Sequence, residues 1–267
     1  MVYSLWTAAG GMSGQQLNID SIANNLSNVN TIGYKKSRTD FQDLFYQTYK
    51  TAGTRSDLNS TYPVGIQVGG GSKPSSTQVL FAQGNLQKTG VKSDLCINGE
   101  GFFRVKMQDG SIAYTRDGSF KIDSEGYLVN SNGYYLDPPI QFDDDFIKES
   151  IKIMQNGDVY YKSSSMEKDD EFYLAGRILL TRFVNPAGLS RVGKNLYKQT
   201  SGSGNSFDGI ASTLGYGSIQ QGFLEMSNVQ IVEELVSMIV AQRAYEFNSK
   251  AIQTTDSMLM TAVNIKR

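Results

Sequence analysis

The residues best equipped for chemistry are two acidic runs, Asp143, Asp144 and Asp145, and then Asp169, Asp170 and Glu171. Carboxylates of this kind can serve as a general acid and base, or can ligate Ca²⁺ when loop spacing brings several oxygens to one point. Neither run has the ligand spacing of an EF-hand, and a solvated charge run is the simpler reading. A glycosidase would need two separated carboxylates facing each other across a cleft, a pairing that only a fold can create. The chain contains no histidine. Its absence removes the usual general base, the commonest metal ligand and the Ser/His and Cys/His nucleophile pairs together. The one cysteine, Cys96 in "LCIN", has no partner for an internal disulfide and reads as a buried strand residue. Without a CxxC or a His cluster, no metal site and no cofactor is expected. The glycine clusters "NGEGFF" and "VGGGSKP" lack the strand-to-helix setting of a phosphate loop and read as turns and bulges. No catalytic residue and no small-molecule substrate is expected.

The elements that would have to position such residues are of two kinds. With 267 residues, 27 glycines and 5 prolines, and 39% hydrophobic against 19% charged residues, the chain is long enough for more than one structural unit and too apolar to be disordered. A formal net charge of -1 provides no basic field for nucleic acid, and the one basic run, Lys35, Lys36 and Arg38, is short. The N-terminus lacks the basic and continuous apolar regions of a secretory signal, and no stretch of about 20 apolar residues could span a bilayer. The expectation is a chain that stays in the cytoplasm or leaves the cell without a cleavable signal.

Helical periodicity marks both ends. Leu5, Met12, Ile19 and Leu26 recur every seven residues, with Ala8, Gln15, Ile22 and Val29 three positions after each. Gly10, Gly11 and Gly14 fall in the same segment, and each costs roughly 0.5–1 kcal/mol relative to Ala inside a helix, so this helix needs a partner. At the other end Ile231, Met238, Tyr245, Ile252 and Leu259 repeat at seven-residue spacing, with Ser227 as the expected N-cap and Lys266 and Arg267 at the dipole-favoured end. A second apolar set, Val229, Val236, Val240 and Phe247, falls on the opposite side, which one partner helix cannot cover. That surplus face points to self-assembly.

Between the ends the pattern is that of strands. Runs rich in Phe, Tyr, Val and Ile over 95–136 are punctuated by "QDG", "RDG", "SEG" and "SNG", as in a set of hairpins. The stretch 137–200 continues this unit, and "SGSGNSFDG" at 201–209 reads as the loop that closes it. The polar stretch 46–65 reads as an extended excursion or long hairpin. The fold class is therefore α+β: terminal helices paired as a coiled-coil-like unit (1–35 with 222–267), an extended linking region (36–94 with 201–221) that includes the excursion at 46–63, and an all-β domain over 95–200.

The segment "IANNLSNVNTIGYKKS" packs Asn24, Asn25, Asn28 and Asn30 into the end of the first helix, where Asn is a mediocre helix former. Such amides either mark a fraying helix end that turns at Gly33, or face polar groups of neighbouring subunits. Together with "DFQDLFYQT" after it and "EMSNVQIVEELVSMIVAQRAYEFNSKAIQTTDSMLMTAVNIKR" at the far end, this segment resembles the terminal signatures of the flagellar rod and hook family. "GEGFFRV" and "YTRDGSFKIDSEGYLV" extend the resemblance through the middle, so it spans essentially the whole chain on highly specific motifs. Tyr34 stands where Phe is more usual and Ile32 where a smaller polar residue is, both mild departures.

The resemblance implies a non-enzymatic subunit of a rigid tubular polymer, with terminal helices lining the tube and a β domain facing outward. Length and the stretch 46–63 look most like the distal rod branch, since hook members carry an additional outer domain for which this chain has no room. Proximal rod members are the close alternative, and a secreted carboxylate-dependent cell-wall glycan hydrolase is the alternative from another class. The implied partners are other copies of the chain, other rod proteins and the hook protein, the flagellar export apparatus and the surrounding rings, at the basal body in the periplasm. The polymerisation interface would comprise Leu5, Met12, Ile19, Asn24, Asn25, Leu26, Asn28 and Asn30 with Ile231, Met238, Tyr245, Phe247, Ile252 and Leu259. Tyr46, Tyr49, Arg55, Asp57, Tyr62 and Pro63 would stiffen the shaft.

Overall fold

The computed structural model describes residues 2–53, 55–57, 60–143, 145–163 and 172–265. Of the residues singled out above, Asp144, Asp169, Asp170, Glu171, Lys266 and Arg267 lie outside them. The chain divides into two compact units, one of residues 1–27, 37–79 and 230–267 and the other of 28–36 and 80–229. The stretch 36–94 is thus shared between them.

The first unit holds both helices, α1 (Val2–Ser27) and α2 (Ile231–Ile265). They pack antiparallel: Asn25 near the end of α1 meets Glu234 near the start of α2, and Gly11 lies against Asn248. Two of the glycines that weaken α1 as an isolated helix permit close approach, Gly11 to α2 and Gly14 to the Phe41 strand. A Cβ on Gly11 would lie 2.9 Å from Asn248 Nδ2, and one on Gly14 would lie 3.0 Å from the Phe41 ring. Strand Ser37–Asp43 pairs antiparallel with Ser72–Val79, Tyr46–Lys50 with Ile66–Gly69, and Arg55–Asp57 with Ser60–Thr61. The excursion is therefore the outer part of one long antiparallel hairpin, and α1 lies on its base, where Ser21 Oγ is 3.4 Å from Ser37 Oγ.

Among its described residues the regular structure of the second unit is β, apart from two short 3-10 turns at Lys148–Ser150 and Pro186–Gly188. Its main sheet is organised about strand Phe102–Lys106, which pairs with Ile112–Thr115, Tyr135–Leu136 and Leu179–Phe183. Alternation along these strands sends Phe103, Val105, Leu136 and Leu180 into a core shared with Leu95, Ile97 and Phe142. "QDG", "SEG" and "SNG" each join strands that pair with one another. "RDG" does not; the Gly118 carbonyl instead accepts from Leu95 N, because the chain there crosses to another part of the sheet. Two further expectations are corrected. Ser206–Ile210, read as loop from its Gly and Ser content, is a strand paired with Leu179–Phe183. Ser227 is not the N-cap of α2, which begins four residues later at Ile231; its Oγ accepts from Val229 N, and Val229 is buried ahead of the helix rather than on its face.

Candidate assembly surface

A helix sequence that is apolar on two sides must bury both. The side of α2 that meets α1 carries Met238, Ile252 and Leu259, half-buried, interleaved with buried Glu234, Ala241 and Thr255 and half-buried Asn248. Glu234, Ala241, Asn248 and Thr255 repeat at seven-residue spacing, offset from the apolar set, and complete the seam. Hydrophobic periodicity overlooked them because they are polar or small; their fixed offset from the apolar set was the available signal. Ile231 and Tyr245, expected on the same seam, are more exposed at its edges.

On α1 the facing side carries Ala8 and Ile22, both buried, flanked by Leu5, Met12, Ile19 and Leu26, all half-buried. These four are thus already half covered within their own chain.

The opposite side of α2 is not covered by the described residues. Val232 is 74% exposed, Val240 63% and Phe247 71%, and Val236 and Ile239 beside them are more than half exposed. Their spacing of three, four and seven residues aligns them in one stripe on the helix face away from Glu234, Ala241 and Thr255. Trp6, at 76% exposure, leads a smaller outward stripe on α1 with Leu17. Burying one such side chain contributes about 1.5–3 kcal/mol, so several together are enough to drive a stable interface. The antiparallel register also leaves α2 longer than its partner: the seam runs past the N-terminus of α1, where Val263 is exposed.

The asparagine cluster separates into different roles. Asn25 does not face outward. It is 1% exposed, its Nδ2 donates to Ser37 O (2.8 Å) and Glu234 Oε2 (3.2 Å), and its Oδ1 accepts from Ser37 N (2.9 Å) and Ser37 Oγ (3.3 Å). One amide thus ties α1, the first strand and α2 together within the chain, because it offers both donors and an acceptor to a buried backbone. Asn28 Oδ1 accepts from Thr31 Oγ1 at the turn after the helix, while Asn24 and Asn30 are exposed.

The basic residues after this turn are also internal. Lys35 is fully buried in the second unit, with Nζ 2.5 Å from Glu225 Oε1 and 2.8 Å from Ala82 O. Glu225 accepts in addition from Gly84 N (3.0 Å) and Arg116 Nη1 (3.3 Å), and its carbonyl accepts from Gly33 N (2.7 Å). Burial pulls the Lys35 ammonium below its ordinary pKa, opposed by the Glu225 carboxylate. Gly33 is required here, since its φ is +67° and a Cβ would lie 2.6 Å from Asp117 N. Composition gave no sign of this ion cluster, whose members are separated by as much as 190 residues.

Along the long hairpin, Tyr46 and Tyr49 are 57% and 64% exposed, Pro63 is exposed, and Tyr62 lies under the Lys50 ammonium. Arg55 and Asp57 occupy the short strand near its tip. Cys96 is buried in strand Leu95–Asn98, where loss of water pushes its thiol up to about 11. Among the described residues, no three His, Cys, Asp or Glu side chains gather as metal ligands would, and no helix is long and apolar enough to cross a membrane.

Two terminal helices that close on each other and still leave a full apolar face uncovered define a subunit of a self-assembling structural protein. Comparison with known proteins gives the family. Residues 5–35 match "Flagella basal body rod protein", 96–161 match "Flagellar hook protein FlgE/F/G D1 domain", and 220–265 match "Flagellar basal body rod FlgEFG protein C-terminal". The chain is 53% identical over 267 residues to the flagellar basal-body rod protein FlgG of Borreliella burgdorferi, covering 100% of both chains. It is 37% identical over 273 residues to that of Bacillus subtilis, again over 100% of both, and 36% identical over 167 residues to the flagellar hook protein FlgE of Helicobacter mustelae, covering 58% of this chain and 37% of that one. The chain belongs to the flagellar basal-body rod family.

Proposed function

We propose that the protein is the structural subunit of the distal rod, polymerising helically with copies of itself into the shaft that carries motor torque to the hook. The uncovered apolar stripe of α2, from Val232 to Phe247, carries this reading, supported by full-length similarity to rod relatives. In the polymer the helix pair forms the tube core. The hairpin stretch 46–63, with exposed Tyr46, Tyr49 and Pro63, braces neighbouring subunits. Asn24 and Asn30, together with the exposed edges of Leu5, Met12, Ile19, Leu26, Ile231 and Tyr245, complete the contact between copies. Other rod proteins and the hook protein abut its ends, ring proteins surround it, and the subunit reaches its place through the flagellar export apparatus without cleavage. It performs no catalysis.

The test is electron microscopy of the purified protein at high concentration. Tubes are expected from the native chain and none from Val236→Lys/Val240→Lys, whose monomer keeps the native melting curve because both positions point away from α1. Unchanged tube formation by that variant would overturn the assignment of the interface.

A further inference from the structure

Strand alternation in the second unit assigns Val105, Leu128 and Leu136 to the core, so their neighbours Lys106, Tyr127 and Tyr135 share the outer face. An outer sheet face satisfied by water has no need of two adjacent tyrosines. Here Tyr127 and Tyr135 meet edge to face, ring centroids 5.3 Å apart at 80°, with Tyr135 38% exposed and directly across the ladder from Lys106. They wall a cleft of about 340 Å³ whose rim carries Glu125, Asp137 and Pro139.

We propose that this cleft binds a neutral glycan chain. Aromatic rings offer flat apolar faces to the C–H side of a pyranose ring, while sugar hydroxyls both donate and accept. The rim answers with both kinds of group: Lys106 and the tyrosine hydroxyls donate, and Glu125 and Asp137 accept. Its charge is balanced. Asp137 is held by Arg104 at 2.7 Å, a guanidinium it shares with Asp208, while Lys106 and Glu125 offset each other, which disfavours a strongly charged ligand. A proline-rich peptide also docks on aromatic walls, but it presents chiefly carbonyl acceptors and would leave the carboxylates without a hydrogen to accept. The volume lies at the small end of ligand clefts, ~300–1,000 Å³, and suits a short length of glycan seated at the surface.

The full-length protein would be titrated with N-acetylglucosamine trimer, cellotriose and an octaproline peptide, followed by amide chemical shifts. A saturable response to either sugar, weakened about tenfold by Tyr135→Ala, largely kept by Tyr135→Phe, and unaffected by Tyr49→Ala on the hairpin of the first unit, is the expected result. Tyr135→Ala is folded if its shifts elsewhere in the β unit match the native ones, and Tyr127→Ala provides an independent second wall. Saturation by octaproline in preference to both sugars, no saturable response to either sugar, or sugar affinity unchanged in both alanine variants would overturn the proposal. None of these outcomes bears on tube formation, which is read separately.

Discussion

Replacing Asn25 by Ala removes the amide that joins three segments of the first unit. Four hydrogen bonds disappear, and Ser37 N–H, itself at a position 9% exposed, loses its side-chain acceptor. Leaving a buried polar group unsatisfied costs about 1–3 kcal/mol, and with partial relaxation the variant should lose about 2–4 kcal/mol. Amide hydrogen exchange of the monomer, read over residues 18–27 and 37–43, would show this as acceleration of roughly 30- to 700-fold, because about 1.4 kcal/mol is a factor of ten. Asn25→Asp supplies a sharper test. It keeps the acceptor for Ser37 N–H but replaces the donor with a carboxylate facing Glu234 and the Ser37 carbonyl, so it should be at least as damaging near pH 7 and recover when acid protonates it. Asn30→Ala, at an exposed position, should change stability by no more than about 0.5 kcal/mol. Exchange in Asn25→Ala equal to that of the native chain would refute the claim that this asparagine is spent inside the subunit, and would return it to the surface between subunits.

Three further perturbations address the rest of the molecule. Lys35→Met should destabilise the second unit by about 1–3 kcal/mol in urea unfolding, since Glu225, although still paired with Arg116, and the Ala82 carbonyl both lose a buried donor, whereas Lys92→Met at the surface should not; equal midpoints would contradict the buried cluster. Cys96 should make the second unit alkali-sensitive. Its folded pKa is raised to about 11 above an ordinary 9.0, so the stabilisation is fully present below pH 9 and declines as pH rises toward 11. Cys96→Val should flatten that decline and Cys96→Ser should weaken the unit already at neutral pH; identical pH slopes for the native and Val chains would count against it. Deleting 46–63 should leave the second unit's melting unchanged but yield bent or curved tubes in electron microscopy, and straight rigid ones would remove the bracing role.

The two helices, the strand-rich middle and the surplus apolar face of α2 were legible in the linear order because each rests on local periodicity: 3.6 residues per turn, two per pleat, and glycine turns between paired strands. The same periodicity made Val236, Val240 and Phe247 recognisable as a second face without any knowledge of what lay opposite. It failed wherever a residue's role is set by a partner distant in sequence. Asn25 looked like one of four equivalent amides until the fold brought Ser37 and Glu234 to it. Lys35 looked like part of a short basic run until Glu225 and Arg116 closed around it. Glu234, Asn248 and Thr255 were invisible in the seam because polarity hides a buried position from a hydrophobic pattern, although burial depends on which backbone groups and side chains meet there. Composition and period are properties of a segment, so the sequence by itself determined which segments would be helix or strand and which helix face needed cover; satisfaction of a buried amide or charge is a property of a place, and only the tertiary structure decided which polar residues were drawn inside.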